Sequence, residues 1–159
     1  MAEKEPAAVQ PQGEHGRVVD DRWHELSVEE CHTLLKRHHL GRVAIIDGGL
    51  PMILPVNYVI DDGSVVFRTD SGGMLDAATS HAPVAFEIDG IDEPNRAGWS
   101  VVVRGTADPV TDPSELTRLR EIPLVPWAPG AKPNYVRVLG EQITGRRISV
   151  ADLPSHWFG

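Results

Sequence analysis

Between Arg42 and Val150 the chain is written in short apolar runs cut by Gly, Asp and Pro, with one helical stripe in front of them. That stripe is "SVEECHTLLKRHHLG", in which Val28, Cys31, Leu34, Leu35 and Leu40 recur at helical spacing. Ser27 with Glu30 three residues on forms a capping box, so a helix is predicted over 27–40 with Gly41 at its C′ position. The period then shortens to two. "RVAIID", "LPMILPVNYVI" and "SVVFRT", separated by "GG" and "DDG", predict an antiparallel meander of strands over 42–47, 51–60 and 64–69. A short helix at about 73–80 follows, then strands over 83–89 and 99–110. Asp112 or Ser114 caps a third helix whose buried stripe includes Leu116 and Leu119. The stretch "IPLVPWAPGAKPN" is proline-stiffened and irregular, and a closing strand or strand pair runs from Tyr135 to Val150. Six or seven closely spaced strands with three short helices predict a mainly β fold, a small antiparallel barrel decorated with helices. The aperiodic first 22 residues, rich in Pro, Glu, Gln and Gly, read as a mobile tail ahead of one domain over 23–159.

Composition narrows what such a barrel can do. The 159 residues carry a net charge of −8, which argues against nucleic acid and against an anionic membrane surface, since both need clustered Lys and Arg. No apolar run is long enough to span a bilayer. Cys31 is the single cysteine, so no intramolecular disulfide or thiolate cluster can form, and a cytoplasmic location is expected. No metal site is expected either: His38 and His39 are adjacent and diverge, His32 lies six and seven residues before them, and no carboxylate spacing completes a set.

The order of "LGRVA", "PVNY", "VVFRT" and a small-residue turn into a helix, continued by "PVAFEID", "GWSVVVRGTADPV" and "ITGRRI", resembles the pyridoxamine 5′-phosphate oxidase-like family over roughly residues 27–148. These are the FMN-binding split β-barrels. The resemblance implies an antiparallel split barrel, a homodimer with two cofactor sites at the subunit interface, and a flavin or deazaflavin phosphate near "FRTDSGG".

At that turn the residues themselves suggest an anion cradle. Gly72 and Gly73 let backbone amides approach a ligand at a helix start, and Thr69 and Ser71 add hydroxyl donors. By alternation Phe67 and Thr69 share one face and Arg68 the other. Where the family pattern has a lysine near the first helical turn, this chain has Met74, so charge support is expected to be weaker and Met74→Lys to tighten FMN binding. Pro55 within a strand suits an edge or bulge beside a site. Pro55, Val56 and Asn57 lie on the strand that lines the flavin ring in the family, while Asn57 read on its own also suits a solvent face. Trp99 and Arg104 suit a planar ring with polar edges, and Trp99 equally suits core or interface. The family allows the loop carrying Trp127 to wall the substrate side; the loop could equally anchor under the barrel. Arg146 or Arg147 could reach a phosphate or a substrate carboxylate, or form a surface ion pair.

No catalytic acid or base stands out, and hydride transfer to a flavin requires none. The reading is an FMN-dependent oxidoreductase passing a hydride or electrons to a small organic acceptor. The alternative is a non-catalytic flavin or F420 carrier, store or sensor. FMN leads F420, whose acidic tail needs a basic groove, and haem follows because no histidine has a ligand context.

Overall fold

The computed structural model describes residues 22–149. The predicted tail at the N-terminus and the end of the predicted domain, 150–159, lie outside the described residues, apart from Arg22. Seven strands and three helices follow in the order β1 (Trp23–Leu26), α1 (Val28–Arg37), β2 (Leu40–Asp47), β3 (Leu50–Asp61), β4 (Ser64–Thr69), α2 (Gly73–Thr79), β5 (Pro83–Asp92), β6 (Ala97–Pro109), α3 (Pro113–Glu121) and β7 (Asn134–Ile148).

The strands form one antiparallel sheet in the order β1-β7-β4-β3-β2-β5-β6, and β6 pairs back onto β7. Six strands therefore close into a barrel. The fifteen-residue β7 is its seam, with β6 along one side and β4 then β1 along the other. The closure is not complete. β4 meets β3 only from Tyr58 to Asp61, so residues 50–57 of β3 have β2 on one side and no strand on the other among the described residues. That gap is the split of a split barrel.

Local chemistry accounts for the elements. Ser27 and Glu30 close the capping box at 3.2 and 2.8 Å. Asp112 caps α3 with a 2.9 Å bond from the Glu115 amide. The Gly48–Gly49 and Asp62–Gly63 pairs take the positive φ angles that two-residue hairpins need.

Helix α1 stops three residues short of the predicted end, because Leu40 is taken into the sheet opposite Asn57. Gly41 is consequently not a C′ residue. It sits buried in β2 because a Cβ there would lie 2.3 Å from the Phe86 ring. The closing segment is one strand, and β1, a four-residue edge strand, has no alternation that would have announced it.

The main core fills the barrel with Val43, Ile45, Tyr58, Phe67, Phe86, Val101 and Val136, plugged by Cys31 and Leu35 of α1 and by Met74, Ala77 and Ala78 of α2. The Tyr58 hydroxyl donates to the Leu35 carbonyl at 2.8 Å, and burial pushes its phenol pKa up. A second cluster of Val66, Val110, Leu119, Leu124 and Tyr135 packs α3 and the following loop against the outside of β4 and β7. It is tied by an ion network. Asp61, 7% exposed, accepts from Arg118 and Arg137, and Arg137 also donates to Glu115. None of the helices among the described residues is long and apolar enough to cross a membrane.

Candidate functional site

Where β3 loses β4, the segment 69–73 continues from β4 towards α2. Tyr58 opposite Phe67 is the last β3–β4 pair, and Arg68 and Thr69 continue paired with Tyr135 and Asn134 of β7 alone. Pro55, Val56 and Asn57 thus lie on the stretch of β3 that β4 leaves unpaired. Pro55 is exposed on the strand, as its missing N–H requires, and Val56 is half-buried against the core.

The alternation along β4 holds. Phe67 and Thr69 are buried and Arg68 leaves by the other face. Its Nε donates to the Lys132 carbonyl at 2.9 Å and its guanidinium to the Leu124 carbonyl at 3.3 Å, while it stacks over Tyr135. Arg68 thus fastens the loop 122–133 and lends no charge to the turn.

Asp70, Ser71 and Gly72 are exposed. Gly72, with φ of 140°, holds a conformation that side chains disfavour, and a Cβ there would point into open space. No side chain caps α2, so its first-turn amides have no side-chain partner. Two acidic groups flank them: the Asp47 carboxylate lies 2.9 Å from where a Gly73 Cβ would be, and Asp70 stands beside the turn. Met74 is buried in the core at 4% exposure, so its side chain faces away from the turn.

The cation that does arrive is Lys132, which sequence reasoning missed. Its Nζ lies 2.9 Å from Asp70, and the ammonium beside it holds that carboxyl below the usual carboxylate range. Sixty-two positions separate the two residues, so no spacing rule could have paired them.

Asn57 has a definite task. Its Oδ1 accepts the Trp127 amide at 2.8 Å and its Nδ2 points at the His39 carbonyl at 3.5 Å. Together with Arg68 and Lys132 it clips the proline-rich loop to the barrel in three places. Trp127 is left with a fixed backbone and a side chain that is 74% exposed.

The remaining candidates lie elsewhere. Trp99 covers Gly90, meets His38 at 4.8 Å and packs on the core, beside a surface cavity of about 490 Å³ that Arg147 also lines. Arg104 is exposed opposite Gln142, lining a separate groove of about 270 Å³. Arg146 lies over Trp23, 5.4 Å from the ring centroid. It lines a third groove with Glu87 and Asp89, both of which hold Arg42 at 3.1 Å. Burial and the neighbouring Asp89 push the Glu87 carboxyl up. Among the described residues no group of three His, Cys, Asp or Glu could hold a metal.

Comparison with known proteins agrees with this architecture. Residues 27–147 match the family model described as pyridoxamine 5′-phosphate oxidase. The uncharacterized protein Rv0080 of Mycobacterium tuberculosis is 39% identical over 133 residues, covering 80% of this chain and 86% of its own. A FAD binding protein from Mycobacterium smegmatis superposes with a TM-score of 0.65 at 40% identity, over 78% of this chain and 97% of its own. A FAD-binding protein from Mesorhizobium loti gives 0.63 at 26% identity, over 80% and 99%.

Proposed function

The chain belongs to the pyridoxamine 5′-phosphate oxidase family, and we propose that it binds a flavin in the split of its barrel and acts with it as an oxidoreductase on a small organic acceptor. The observation that carries this is the stretch 50–57 of β3 that β4 leaves without a strand partner among the described residues, together with an exposed turn at Asp70–Gly72 and a start of α2 that no side chain caps. Those residues fit a flavin phosphate. Gly72 leaves the turn open, Thr69 and Ser71 supply hydroxyl donors, and Lys132 supplies the charge that position 74 does not, in competition with Asp70. The unpaired edge of β3 suits the polar rim of the ring, and Trp127, held by Asn57, walls the site. A bound flavin supplies the hydride or electron transfer itself; the protein binds it, orients it and keeps water off it. The names of the Mycobacterium smegmatis and Mesorhizobium loti structures support FAD beside FMN as the form bound.

The working unit in this reading is a homodimer with its cofactor sites at the interface. Ile46, Leu50 and Ile53 are each more than 60% exposed on the β2–β3 hairpin, a surface that a second copy would cover. A second reading has its own support. The polar side chains at the gap are committed to holding structure, Asn57 and Arg68 to the loop and Lys132 to Asp70, which suits a carrier, store or sensor as well as an enzyme.

The test is an absorption spectrum after excess FMN, FAD, F420 or haem has been added and unbound ligand removed. Retained flavin near one per subunit supports the site, and consumption of NAD(P)H or reduced F420 then separates enzyme from carrier. Retention of F420 alone keeps the site and changes the cofactor. Retention of none refutes the proposal.

A further inference from the structure

The ion pair between Lys132 and Asp70 is asymmetric. The Lys132 side chain is only 17% exposed, and the residue is held again at its backbone, where Arg68 Nε donates to its carbonyl at 2.9 Å. Asp70 stands on the exposed turn after β4 with a side chain that is 58% exposed. The 2.9 Å bond from Lys132 Nζ is its only side-chain contact of this kind among the described residues. The cation is therefore fixed, and its counter-anion is free to turn out into water. Giving up the Asp70 contact leaves the backbone at Lys132 where Arg68 holds it.

An anion arriving at the turn thus meets a lysine that already has a carboxylate. Exchanging one charge-assisted bond for another of the same kind gains little. The Lys132 hydrogen bond and charge hold the Asp70 carboxyl below the usual carboxylate range, so the competitor is fully ionised at neutral pH. Asp47, with its carboxylate 2.9 Å from where a Gly73 Cβ would be, adds a second negative charge at the start of α2. A neutral ligand meets neither cost, which is how like charge shapes selectivity. We propose that Asp70 is a resident counter-anion that sets the selectivity of this site: by occupying Lys132 it cancels the advantage that a phosphate would give one ligand over its neutral counterpart.

The identity of the arriving ligand rests on the flavin reading above. The competition for Lys132 rests only on the geometry of the pair.

Riboflavin and FMN share a ring system and differ by the phosphate, so titrating the full-length protein with each, followed by flavin fluorescence, tests the proposal. The wild-type affinities are expected to agree within about threefold. Asp70→Asn keeps the side-chain shape, removes the charge, and is expected to raise the ratio of FMN to riboflavin affinity about tenfold. Adding Lys132→Ala should abolish that gain, because the freed ammonium is what the phosphate contacts. A wild-type ratio already above about tenfold, a ratio unchanged by Asp70→Asn, or a gain that survives Lys132→Ala would each overturn the proposal. If neither flavin binds, the flavin reading fails and inorganic pyrophosphate reads the competition instead. Tighter pyrophosphate binding by Asp70→Asn than by wild type, lost again with Lys132→Ala, upholds the proposal; equal binding or none overturns it.

Discussion

Replacing Asp61 by Asn tests how the outer cluster is fixed to the barrel. Asp61 ends β3 at 7% exposure and faces two guanidinium groups. Arg137 reaches it with a 2.7 Å bond to the carboxylate and a 2.9 Å bond to the backbone carbonyl, and the Arg137 side chain is itself only 12% exposed. Arg118 adds a 3.0 Å bond, but its side chain is 52% exposed and can return to water. Breaking a buried pair from one side typically costs 3–5 kcal/mol, because the partner charge stays buried. Here Glu115 still faces Arg137, so a loss of about 2–3 kcal/mol is expected, lowering Tm on the order of 5–10 °C.

Thermal and urea unfolding at neutral pH, followed by circular dichroism, measure this. A loss below about 0.5 kcal/mol would mean that Arg137 does not depend on Asp61, and the reasoning would be wrong. The pH dependence has a fixed sign. The Arg118 hydrogen bonds are the main cause that holds the Asp61 carboxyl below its usual value, with Arg137 adding to them against the opposing effect of burial. The stabilisation is therefore complete above the unfolded-state pKa of about 3.9 and is lost as pH falls through the lower folded value. Asp61→Asn should remove that part of the acid sensitivity.

Three further substitutions separate backbone, core and site. Gly105→Ala is expected to cost more than the about 1–3 kcal/mol of ordinary overpacking, because its Cβ would stand 1.8 Å from the Leu139 carbonyl oxygen at the β6 bulge; wild-type unfolding would refute it. Met74→Lys, expected from sequence to tighten FMN, should instead destabilise the fold by burying an ammonium at a 4% exposed site; tighter flavin binding with unchanged Tm would show that residue 74 reaches the turn. Lys132→Ala should weaken flavin binding several-fold with little change in Tm, and should make the affinity less sensitive to salt; unchanged affinity would remove Lys132 from the site.

Much of this fold was legible because its signals are local. The capping box at Ser27, the Gly–Gly and Asp–Gly hairpins and the two-residue period of β4 each act within a few residues, and each predicted its element. The errors lie where pairing across the sheet overrides local preference. Leu40 and Gly41 carry a helix-ending signal, but the sheet takes them because Gly41 is the only residue type that fits against Phe86. Strand β1 exists because β7 offers it an edge, which nothing in "WHEL" announces. The candidate site divides in the same way. Its turn and its strand were proposed from glycines, hydroxyls and the order of motifs, and the structure places an exposed turn at Asp70–Gly72 and an unpaired stretch of β3 at those positions among the described residues. Lys132, Asp47 and the Asn57–Trp127 bond come from contacts between distant segments.

The fate of the arginines connects these points. Sequence alone does not place Arg42, Arg68, Arg104, Arg137, Arg146 and Arg147 around a ligand. In the fold, Arg68 fastens a loop, Arg137 holds the Asp61 network and Arg42 bridges Glu87 and Asp89. None of these three can turn to a phosphate without giving up a structural contact. Around the turn, with Asp47 and Asp70 close by, an anion must rely on neutral backbone amides, two hydroxyls and one lysine already paired to Asp70. Such a site favours ligands that bring more than a phosphate, because the phosphate alone gains little net charge complementarity there. A planar ring received by the unpaired edge of β3 supplies that additional contact, and this is why the split, more than the turn, is expected to determine what the protein binds.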